Sequence, residues 1–285
     1  MPGPLLAVDA PSLLYRAFYA LPKTITDDKG TPVNALLGVS NLVLQAVEKH
    51  SPRAVVLCFG EEAAHYRVEL YPTYHADRID MPEELVPQWS DAAEFFGAFN
   101  WIVLRHETLE ADDLLGGLAE AETQGGGQAL LFTGDRDMFQ CVDDSVTVLW
   151  PAGKGETEPI GPDEVQKRYG VRPDQVPDFI ALRGDPSDGL PGAKGIGEKT
   201  ARDLLREHGT LDALLELPRG LTPRFYGSLR DQADELRAFR AIATLQPVEI
   251  ERPADAPLDK MGASKAARKR GMNRLADRLE AWGEG

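Results

Sequence analysis

The sequence predicts an α/β fold in two parts, a mostly parallel sheet covered by helices and then an all-helical second half. Short, nearly continuous apolar runs alternate with longer helical patterns up to about residue 150. Such runs are typical of parallel strands that are buried on both faces of a sheet. After a Gly- and Pro-rich stretch at 151–162 the strand-like runs stop, while helical patterns continue. We therefore expect an α/β domain over 1–160 and a helical domain over 161–285.

The individual elements follow from the period of the apolar residues. Strands are predicted at 4–10, 54–59, 101–105, 129–133 and 146–150, with helices between the first four at 34–50, 83–99 and 111–122. The second half is predicted to form helices at 162–170, 173–184, 200–209, 210–217, 231–245 and 260–282. Gly170 and Gly209 stand where helix-ending residues belong. The stretch 151–162 is interpreted as a linker between the domains.

Composition limits the ways in which this chain can bind a charged partner. The 285 residues include 46 acidic and 31 basic side chains, a formal net charge of −15. A chain that binds nucleic acid by bulk charge is basic, so a nucleic acid would have to be held by local patches or through bound cations. Cys58 and Cys141 lie beside apolar residues and are predicted to be reduced. No signal peptide or membrane-spanning run is recognised, so we expect a cytoplasmic protein.

Carboxylates gather where the predicted strands end. In an open parallel sheet this edge is where ligands bind. Asp9 ends the first run, Glu110, Asp112 and Asp113 follow the third, Asp135 and Asp137 follow the fourth, and Asp185 and Asp188 come from the helical half. Each group has a simpler explanation by itself, because acids cap helix N-termini and the Gly-Asp-Arg-Asp stretch suits a polar turn.

The joint pattern favours a divalent metal centre. So many carboxylates at one rim would repel each other unless cations lay between them, and hard divalent ions prefer oxygen ligands. Two such ions about 4 Å apart are a common arrangement for in-line attack on a phosphodiester. The five histidines have no metal-ligand spacing, and two cysteines do not suggest a zinc site. The chain also lacks a P-loop and a Gly-x-Ser-x-Gly elbow.

A glycine-rich turn follows the last two acids. The segment LPGAKGIGEKTARDLL at 190–205 places Gly195 and Gly197 just before a predicted helix. Glycine permits close approach of a ligand, and a helix N-terminus offers free N–H groups to an anion. Lys194, Lys199 and the Thr200 hydroxyl can add phosphate contacts, which would position a nucleic acid without reading its sequence. A plain turn between two packed helices is the alternative.

Taken together, these motifs resemble the bacterial 5′→3′ exonucleases and 5′ flap endonucleases, including the N-terminal nuclease domain of DNA polymerase I. The resemblance covers nearly the whole chain. It rests on LLAVDAPSLLYRAFYAL, PVNALLGVSNLVL, YHADR with MPEEL, LEADDLLG, TGDRDMFQ, YGVRPDQVPDFIALRGDPSDGLPGAKGIGEKTA and HGTLDALL. It implies a parallel-sheet, PIN/resolvase-like nuclease core and a helical DNA-binding domain with a helix–three-turn–helix motif at about 184–205. A helical arch over the site, at about 71–90, would admit a 5′ single strand.

The resemblance also implies roles for particular residues. Asp9, Glu110, Asp112, Asp113, Asp135, Asp137, Asp185 and Asp188 would hold two or more Mg²⁺ or Mn²⁺ ions, and K⁺ would bind at the glycine-rich motif. Arg16 and Arg78 would contact phosphates. The expected substrate is DNA with 5′ flaps or 5′ ends, processed by a monomer during replication or repair. Polymerase or repair proteins are possible partners of what is expected to be a stand-alone nuclease.

Two positions depart from the family pattern. The family has an aspartate after the phenylalanine of the second strand, where this chain has Gly60 followed by Glu61 and Glu62. The family has a lysine in the arch where this chain has His75, which we count among the DNA-binding residues. A catalytically weakened DNA-binding relative therefore remains an alternative. An RNA-directed nuclease is a further one, although the glycine turn suits a duplex backbone better.

Overall fold

The computed structural model describes residues 3–76, 78–153, 155–217 and 223–282. Asp77 of the predicted arch and Lys154 of the predicted linker lie outside the described residues, as do 218–222 and 283–285 of the predicted helical domain. The described chain contains a six-stranded sheet in the order β3-β2-β1-β4-β5-β6. The strands are β1 Leu5–Asp9, β2 Ala54–Phe59, β3 Ile102–Arg105, β4 Ala129–Phe132, β5 Val146–Gly153 and β6 Glu156–Ile160.

The first five strands run parallel, as the sequence predicts. In the register, Asp9 of β1 lies opposite Cys58 of β2, and Val8 lies opposite Phe132 of β4. The carboxyl ends of the three central strands therefore meet at one edge. The linker prediction at 151–162 is wrong, because β5 runs on to Gly153 and pairs antiparallel with β6. An antiparallel edge strand on a parallel sheet is a common arrangement.

Thirteen helices can be assigned in the described residues. In the first half they are α1 Ala10–Ala20, α2 Asn34–His50, α3 His65–Leu70, α4 Val86–Gly97 and α5 Ala111–Gln124. In the second half they are α6 Pro162–Tyr169, α7 Val176–Arg183, α8 Glu198–His208, α9 Leu211–Glu216, α10 Pro223–Asp231, α11 Ala233–Ala243, α12 Lys260–Lys269 and α13 Asn273–Ala281. Gly170 and Gly209 end α6 and α8 with positive φ, which confirms their predicted role.

Two buried apolar clusters cover the two faces of the sheet. One joins α5 to the helical second half through residues such as Phe179 and Phe239. The other joins α1, α2 and α4 to the last two helices and includes Phe95, Leu275 and Leu279. The chain reaches this second face through the segment 244–259, whose Ala256 N–H donates to the Arg53 carbonyl at 2.9 Å. α12 and α13 therefore complete the core of the α/β part.

Three basic residues of the tail at 260–274 form ion pairs within the protein. Arg268 pairs with Asp277 and Glu280, Lys269 with Glu94, and Arg270 with Asp91. The single helix predicted over 260–282 is broken at Gly271, which has φ +70°. Among the described residues no helix has both the length and the apolar character to cross a membrane.

Candidate active site

A cavity of about 480 Å³ opens at the carboxyl edge of the sheet, beyond β1, β2 and β4. A crevice of about 20 Å³ adjoins it and shares several of its walls. Six of the eight predicted acids line these two spaces. Asp9 lines the cavity, Asp137 and Asp188 line the crevice, and Glu110, Asp112 and Asp135 line both.

A threonine connects the acids of the two central strands. Asp9 accepts hydrogen bonds from the Ser12 N–H at 3.0 Å, as the N-cap of α1, and from the Thr133 hydroxyl at 2.6 Å. The same Thr133 oxygen accepts from the Asp135 N–H at 2.9 Å, and Asp135 in turn accepts from the Asp137 N–H at 2.8 Å. The carboxylates after β1 and β4 are therefore held in a fixed relation.

These buried carboxylates are crowded enough to perturb one another. Burial, reinforced by the charge of Asp188, raises the pKa of Asp135 to about 6. Burial raises the pKa values of Asp112 and Asp137 well above the usual range, and the charge of Asp135 adds to both shifts. Burial also raises the pKa of Asp9. A cation among them would relieve both the desolvation and the repulsion.

Glu110 and Asp113 begin α5 and flank a buried guanidinium. Arg67 lies 2.8 Å from a Glu110 oxygen and 3.0 Å from an Asp113 oxygen. Glu110 also accepts from the Ala64 N–H at 2.8 Å and the Tyr74 hydroxyl at 3.1 Å. Asp113 is fully buried and lines neither space, and its further donors are backbone N–H groups and the Tyr66 hydroxyl. Asp113 is thus bonded as a structural group, and its predicted role as a metal ligand stays a prediction.

The two acids from the helical half lie in a tight loop after α7. Asp185 accepts from the Ser187 N–H at 3.0 Å and from Arg183 at 3.0 Å. Asp188 lies 3.0 Å from a His75 ring nitrogen. A Cβ on Gly192 would lie 2.3 Å from the Gly184 nitrogen, so the loop closes on itself through glycines. This closure brings Asp185 and Asp188 beside the acids of the sheet, as their effect on the Asp135 pKa shows.

The donor chemistry of this site fits a hard divalent cation. All of the predicted ligands are carboxylates, which suit Mg²⁺ or Mn²⁺. Asp137 is 9% exposed and lines the crevice, and none of the hydrogen bonds of the described residues reaches its carboxylate. Within the described residues, however, no three His, Cys, Asp or Glu side chains stand at spacing that would hold an ion. Arg67 pairs with one oxygen of Glu110, and His75 faces one oxygen of Asp188.

The backbone around Gly60 leaves no space for the aspartate side chain that the family has at this position. A Cβ at Gly60 would lie 2.4 Å from the Leu109 carbonyl oxygen and from the Glu110 carbonyl carbon. The start of α5 thus occupies the space in which a side chain would begin. Glu61 donates its N–H to the Leu109 carbonyl at 2.9 Å, lines the cavity and is exposed. The Glu62 carboxylate accepts from the Tyr15 hydroxyl at 3.1 Å.

The predicted phosphate-binding residues near the cavity are placed differently from one another. Arg16 is exposed and donates to the Pro151 carbonyl at 2.9 Å, outside the cavity lining. Arg78 lines both spaces and donates to the Glu62 carbonyl at 3.1 Å. His75 is 9% exposed, so its predicted contact with DNA stays a prediction. Its ring nitrogens already face Glu62 and Asp188.

The glycine turn presents an open helix start to solvent. Gly197 is the N-cap of α8 and offers no side-chain hydrogen bond to the first turn. Gly195 is exposed and has φ +84°, a conformation that favours glycine. Lys194 and Lys199 are exposed beside it, and Thr200 is half-buried. The Lys194 N–H donates to Gln232 at 2.8 Å, which ties the turn to the α10–α11 region.

The sequence analysis does not predict three residues of the site. Thr133 joins Asp9 to Asp135, while Arg67 and Tyr74 hold Glu110. The Thr-Gly-Asp-Arg-Asp stretch was a usable signal for Thr133, since it directly follows a strand. Arg67 lies in a short helix that the sequence analysis missed, and its pairing across 43 positions to Glu110 leaves no local pattern.

Two family models together match most of the chain. Residues 4–170 match the 5′-3′ exonuclease N-terminal resolvase-like domain, and 171–267 match the 5′-3′ exonuclease C-terminal SAM fold. The match confirms the predicted mixed α/β fold with a PIN/resolvase-like first part and a helical second part. Its boundary at 170/171 falls ten residues after the predicted one at 160/161, and the domain limits stay a prediction.

Sequence relatives and solved structures agree with this assignment. The chain is 38% identical over 254 residues to the thermostable DNA polymerase I of Thermus thermophilus, covering 87% of this chain and 30% of that protein. It is 40% identical over 214 residues to DNA polymerase I of Mycobacterium bovis, covering 74% of this chain and 24% of that protein. This chain thus spans less than a third of these relatives.

Two solved structures share the fold at low sequence identity. A bacteriophage T5 5′-exonuclease with bound zinc superposes with a TM-score of 0.71 at 16% identity, over 96% of each chain. The catalytic core of Rad2 with a DNA substrate gives 0.63 at 15% identity, over 98% of this chain and 91% of that one. From the two family models and the polymerase relatives we conclude that this chain belongs to the 5′-3′ exonuclease family.

Proposed function

We propose that this chain is a structure-specific 5′ nuclease that hydrolyses phosphodiester bonds of DNA with divalent metal ions. One observation carries the proposal. Acids from β1, β4, the start of α5 and the loop after α7 meet at one cavity edge, where burial and the charges of neighbouring acids raise the pKa values of Asp112, Asp135 and Asp137. The helical half thus completes a site that the sheet begins, and the same loop continues into the open start of α8.

The residues of the cavity would share the catalytic work. Asp9, Glu110, Asp112, Asp135, Asp137, Asp185 and Asp188 would hold Mg²⁺, or Mn²⁺, which when bound activates water and offsets charge on the phosphate. Thr133 fixes Asp9 and Asp135 relative to each other. Arg78 lines the cavity with its side chain 46% exposed, and would orient the scissile phosphate by a charged hydrogen bond.

The turn before α8 would hold the duplex next to the cut. Its exposed lysines and open N–H groups contact phosphates without reading bases. The loop that carries Asp185 and Asp188 is continuous with this turn, so the distance between grip and cut is set by a short, closed segment. We expect cleavage to depend on substrate structure for this reason. A K⁺ ion at this turn belongs to the same proposal.

The named neighbours support the proposal by analogy. The T5 enzyme is described with divalent metal ions, and the flap endonuclease of the same phage with DNA and metal ions. Action on 5′ flaps and 5′ ends during replication or repair, a monomeric state, a cytoplasmic location and polymerase or repair partners are proposed on this basis. Cleavage of flap and 5′-end substrates side by side would measure the balance of exonuclease and flap endonuclease action.

A second candidate function is that of a catalytically weakened, structure-specific DNA-binding protein. The backbone packing at Gly60, which leaves no room for a carboxylate there, favours it. A labelled 5′-flap DNA separates the two functions. Cleavage near the junction with Mg²⁺ or Mn²⁺, and none with EDTA, supports the nuclease. Tight flap binding without cleavage under any divalent ion would support the second candidate, and preferential cleavage of a matched RNA flap would contradict the DNA assignment.

A further inference from the structure

His75 lies at the contact between the two halves of the site. Its side chain is 3% exposed, and its ring stacks on Tyr74 with centroids 3.8 Å apart at 22°. Its backbone has φ +55°, in the left-handed region that favours glycine. A side chain that packs this closely, on a backbone that few residues adopt, is held there by its surroundings.

Both ring nitrogens face oxygen atoms that only accept hydrogen bonds. Nδ1 lies 2.7 Å from the Glu62 carbonyl oxygen, and Nε2 lies 3.0 Å from Oδ1 of Asp188. Both distances are short enough for a hydrogen bond between a ring nitrogen and an oxygen. One side anchors the ring to the loop after β2, and the other reaches the acid of the helical half.

The backbone supports the same contact. The His75 N–H points to the Asp188 carbonyl at 3.4 Å, and a Cβ on Gly189 would lie 3.1 Å from the Thr73 carbonyl. The neighbouring Tyr74 hydroxyl donates to Glu110 at 3.1 Å. The pair Tyr74–His75 thus touches one acid from each half of the chain. Arg78 also faces Asp188, at 3.9 Å.

We propose that His75 is a positioning residue, which holds the Asp188 carboxylate toward the proposed metal centre. It would also connect the start of the predicted arch, at about 71–90, to the loop after α7. Asp188 keeps its second oxygen for an ion while Oδ1 accepts from the ring. Outer partners of this kind orient ligands to a metal. This role, which rests on the proposed metal centre, replaces the DNA contact predicted for position 75.

The test measures two properties of the metal-free and DNA-free protein. Mn²⁺ binding is followed by calorimetric titration, and amide hydrogen exchange is followed across 185–190. We expect His75→Ala to bind Mn²⁺ about 10- to 100-fold more weakly and to exchange faster in this loop. His75→Gln, whose amide N–H can replace Nε2, should recover most of both losses. His75→Asn, whose shorter amide can replace only Nδ1, should not.

His65→Ala is the matched control, because His65 is an 82% exposed histidine on α3 with only a surface contact to Glu69. Circular dichroism establishes that each variant is folded. Parent-like exchange and Mn²⁺ binding in His75→Ala would overturn the proposal, and so would equal losses in the Gln and Asn variants. A parent that binds no Mn²⁺ would contradict the proposed metal centre itself, while the exchange comparison still decides whether His75 holds the loop.

Discussion

At the scale of single residues, the buried acids of the cavity lower the stability of the metal-free folded protein. An aspartate loses hydration when it is buried, and its neighbours add repulsion, so the folded protein holds protons that the unfolded chain releases. Asp135 shows this most clearly, with a pKa of about 6 against an ordinary 3.8. Functional sites commonly carry such unfavourable electrostatics, which a bound ion then relieves.

The first prediction concerns the stability of the metal-free protein. Between about pH 4 and pH 6 the folded state binds more protons at Asp135 than the unfolded state, so this group lowers stability as pH rises through that window. We expect Asp135→Asn to stabilise the metal-free protein at pH 7 by about 1–3 kcal/mol and to reduce the rise in Tm on adding Mg²⁺. Thermal melts with and without EDTA measure both effects.

A matched control for this prediction is Asp144→Asn, since Asp144 is exposed and does not line the cavity. It should leave the melting profile unchanged. A metal-free Asp135→Asn protein that melts at or below the parent temperature at pH 7 would show that Asp135 is not repelled by its neighbours.

A second residue-scale prediction concerns the position after β2. Because a Cβ at Gly60 would overlap the backbone of Leu109 and Glu110, Gly60→Asp should destabilise the fold by about 1–3 kcal/mol. It should therefore not restore a ligand. We expect Glu61→Gln to raise the Mg²⁺ concentration needed for half-maximal cleavage, because Glu61 lines the cavity, with a smaller effect for Glu62→Gln. Parent-like Mg²⁺ titration of Glu61→Gln would show that the site works with one carboxylate fewer.

At the scale of elements, the parallel strands were predictable from the sequence, but the antiparallel edge strand β6 and the short helix α3 were not. Strands buried on both faces are apolar throughout, so their period is visible in one sequence. β6 was missed because an edge strand such as Glu156–Ile160 is polar and carries a proline. α3 has only six residues, too few to show a helical period, and Arg67 within it was missed for the same reason.

The acids of the site were predictable because strand ends and helix starts have local signals. Their partners were not. Tyr74 reaches Glu110 and His75 reaches Asp188 across 36 and 113 positions, so no local pattern announces either contact. The tail at 260–274 shows the opposite case. It is rich in basic residues, but three of them, Arg268, Lys269 and Arg270, are paired with acids of α13 and α4 that folding brings near.

The element-scale prediction concerns the turn before α8. Gly195→Val puts a β-branched residue at φ +84° and should distort the turn, and Lys199→Ala removes an exposed lysine that is proposed to contact phosphate. Both should weaken duplex binding on every sequence alike. For Lys199→Ala the slope of log affinity against log salt should flatten by about one unit. Fluorescence anisotropy with two unrelated duplexes measures this.

Lys265→Ala serves as the control for the turn, because Lys265 is an exposed lysine on α12. Its salt slope should match that of the parent. A loss of affinity in the turn variants that depends on sequence, or an unchanged salt slope for Lys199→Ala, would mean that this turn does not grip the backbone.

At the scale of the whole molecule, the two halves are joined through the back of the sheet as well as through the site. Glu122 on α5 is fully buried and accepts hydrogen bonds from two arginines. One is Arg53, which directly precedes β2, and the other is Arg252, which lies in the segment that leads to α12 and donates at 2.9–3.0 Å. Arg53 also donates to the Pro253 carbonyl at 2.6 Å. This ion cluster fixes the path by which the last two helices return to the first half.

The whole-molecule prediction follows from that cluster. Glu122→Gln leaves two guanidinium groups around a neutral amide, so we expect it to lower the free energy of unfolding by about 3–5 kcal/mol. Glu120→Gln, on the exposed side of the same helix, is the control and should change little. Urea unfolding measures both. Equal stability of the two variants would show that the cluster does not hold the returning segment.

The central claim, that the carboxylates at the sheet edge form the metal centre that cuts DNA, is tested most directly by single-turnover cleavage of a labelled 5′-flap DNA. The parent and Asp135→Asn are compared across a Mg²⁺ titration, with flap binding measured separately in Ca²⁺. We predict that the parent cuts near the junction only when Mg²⁺ is present, and that Asp135→Asn binds the flap normally but does not cut it. Cleavage by the parent in EDTA, or near-normal turnover by Asp135→Asn, would contradict the claim.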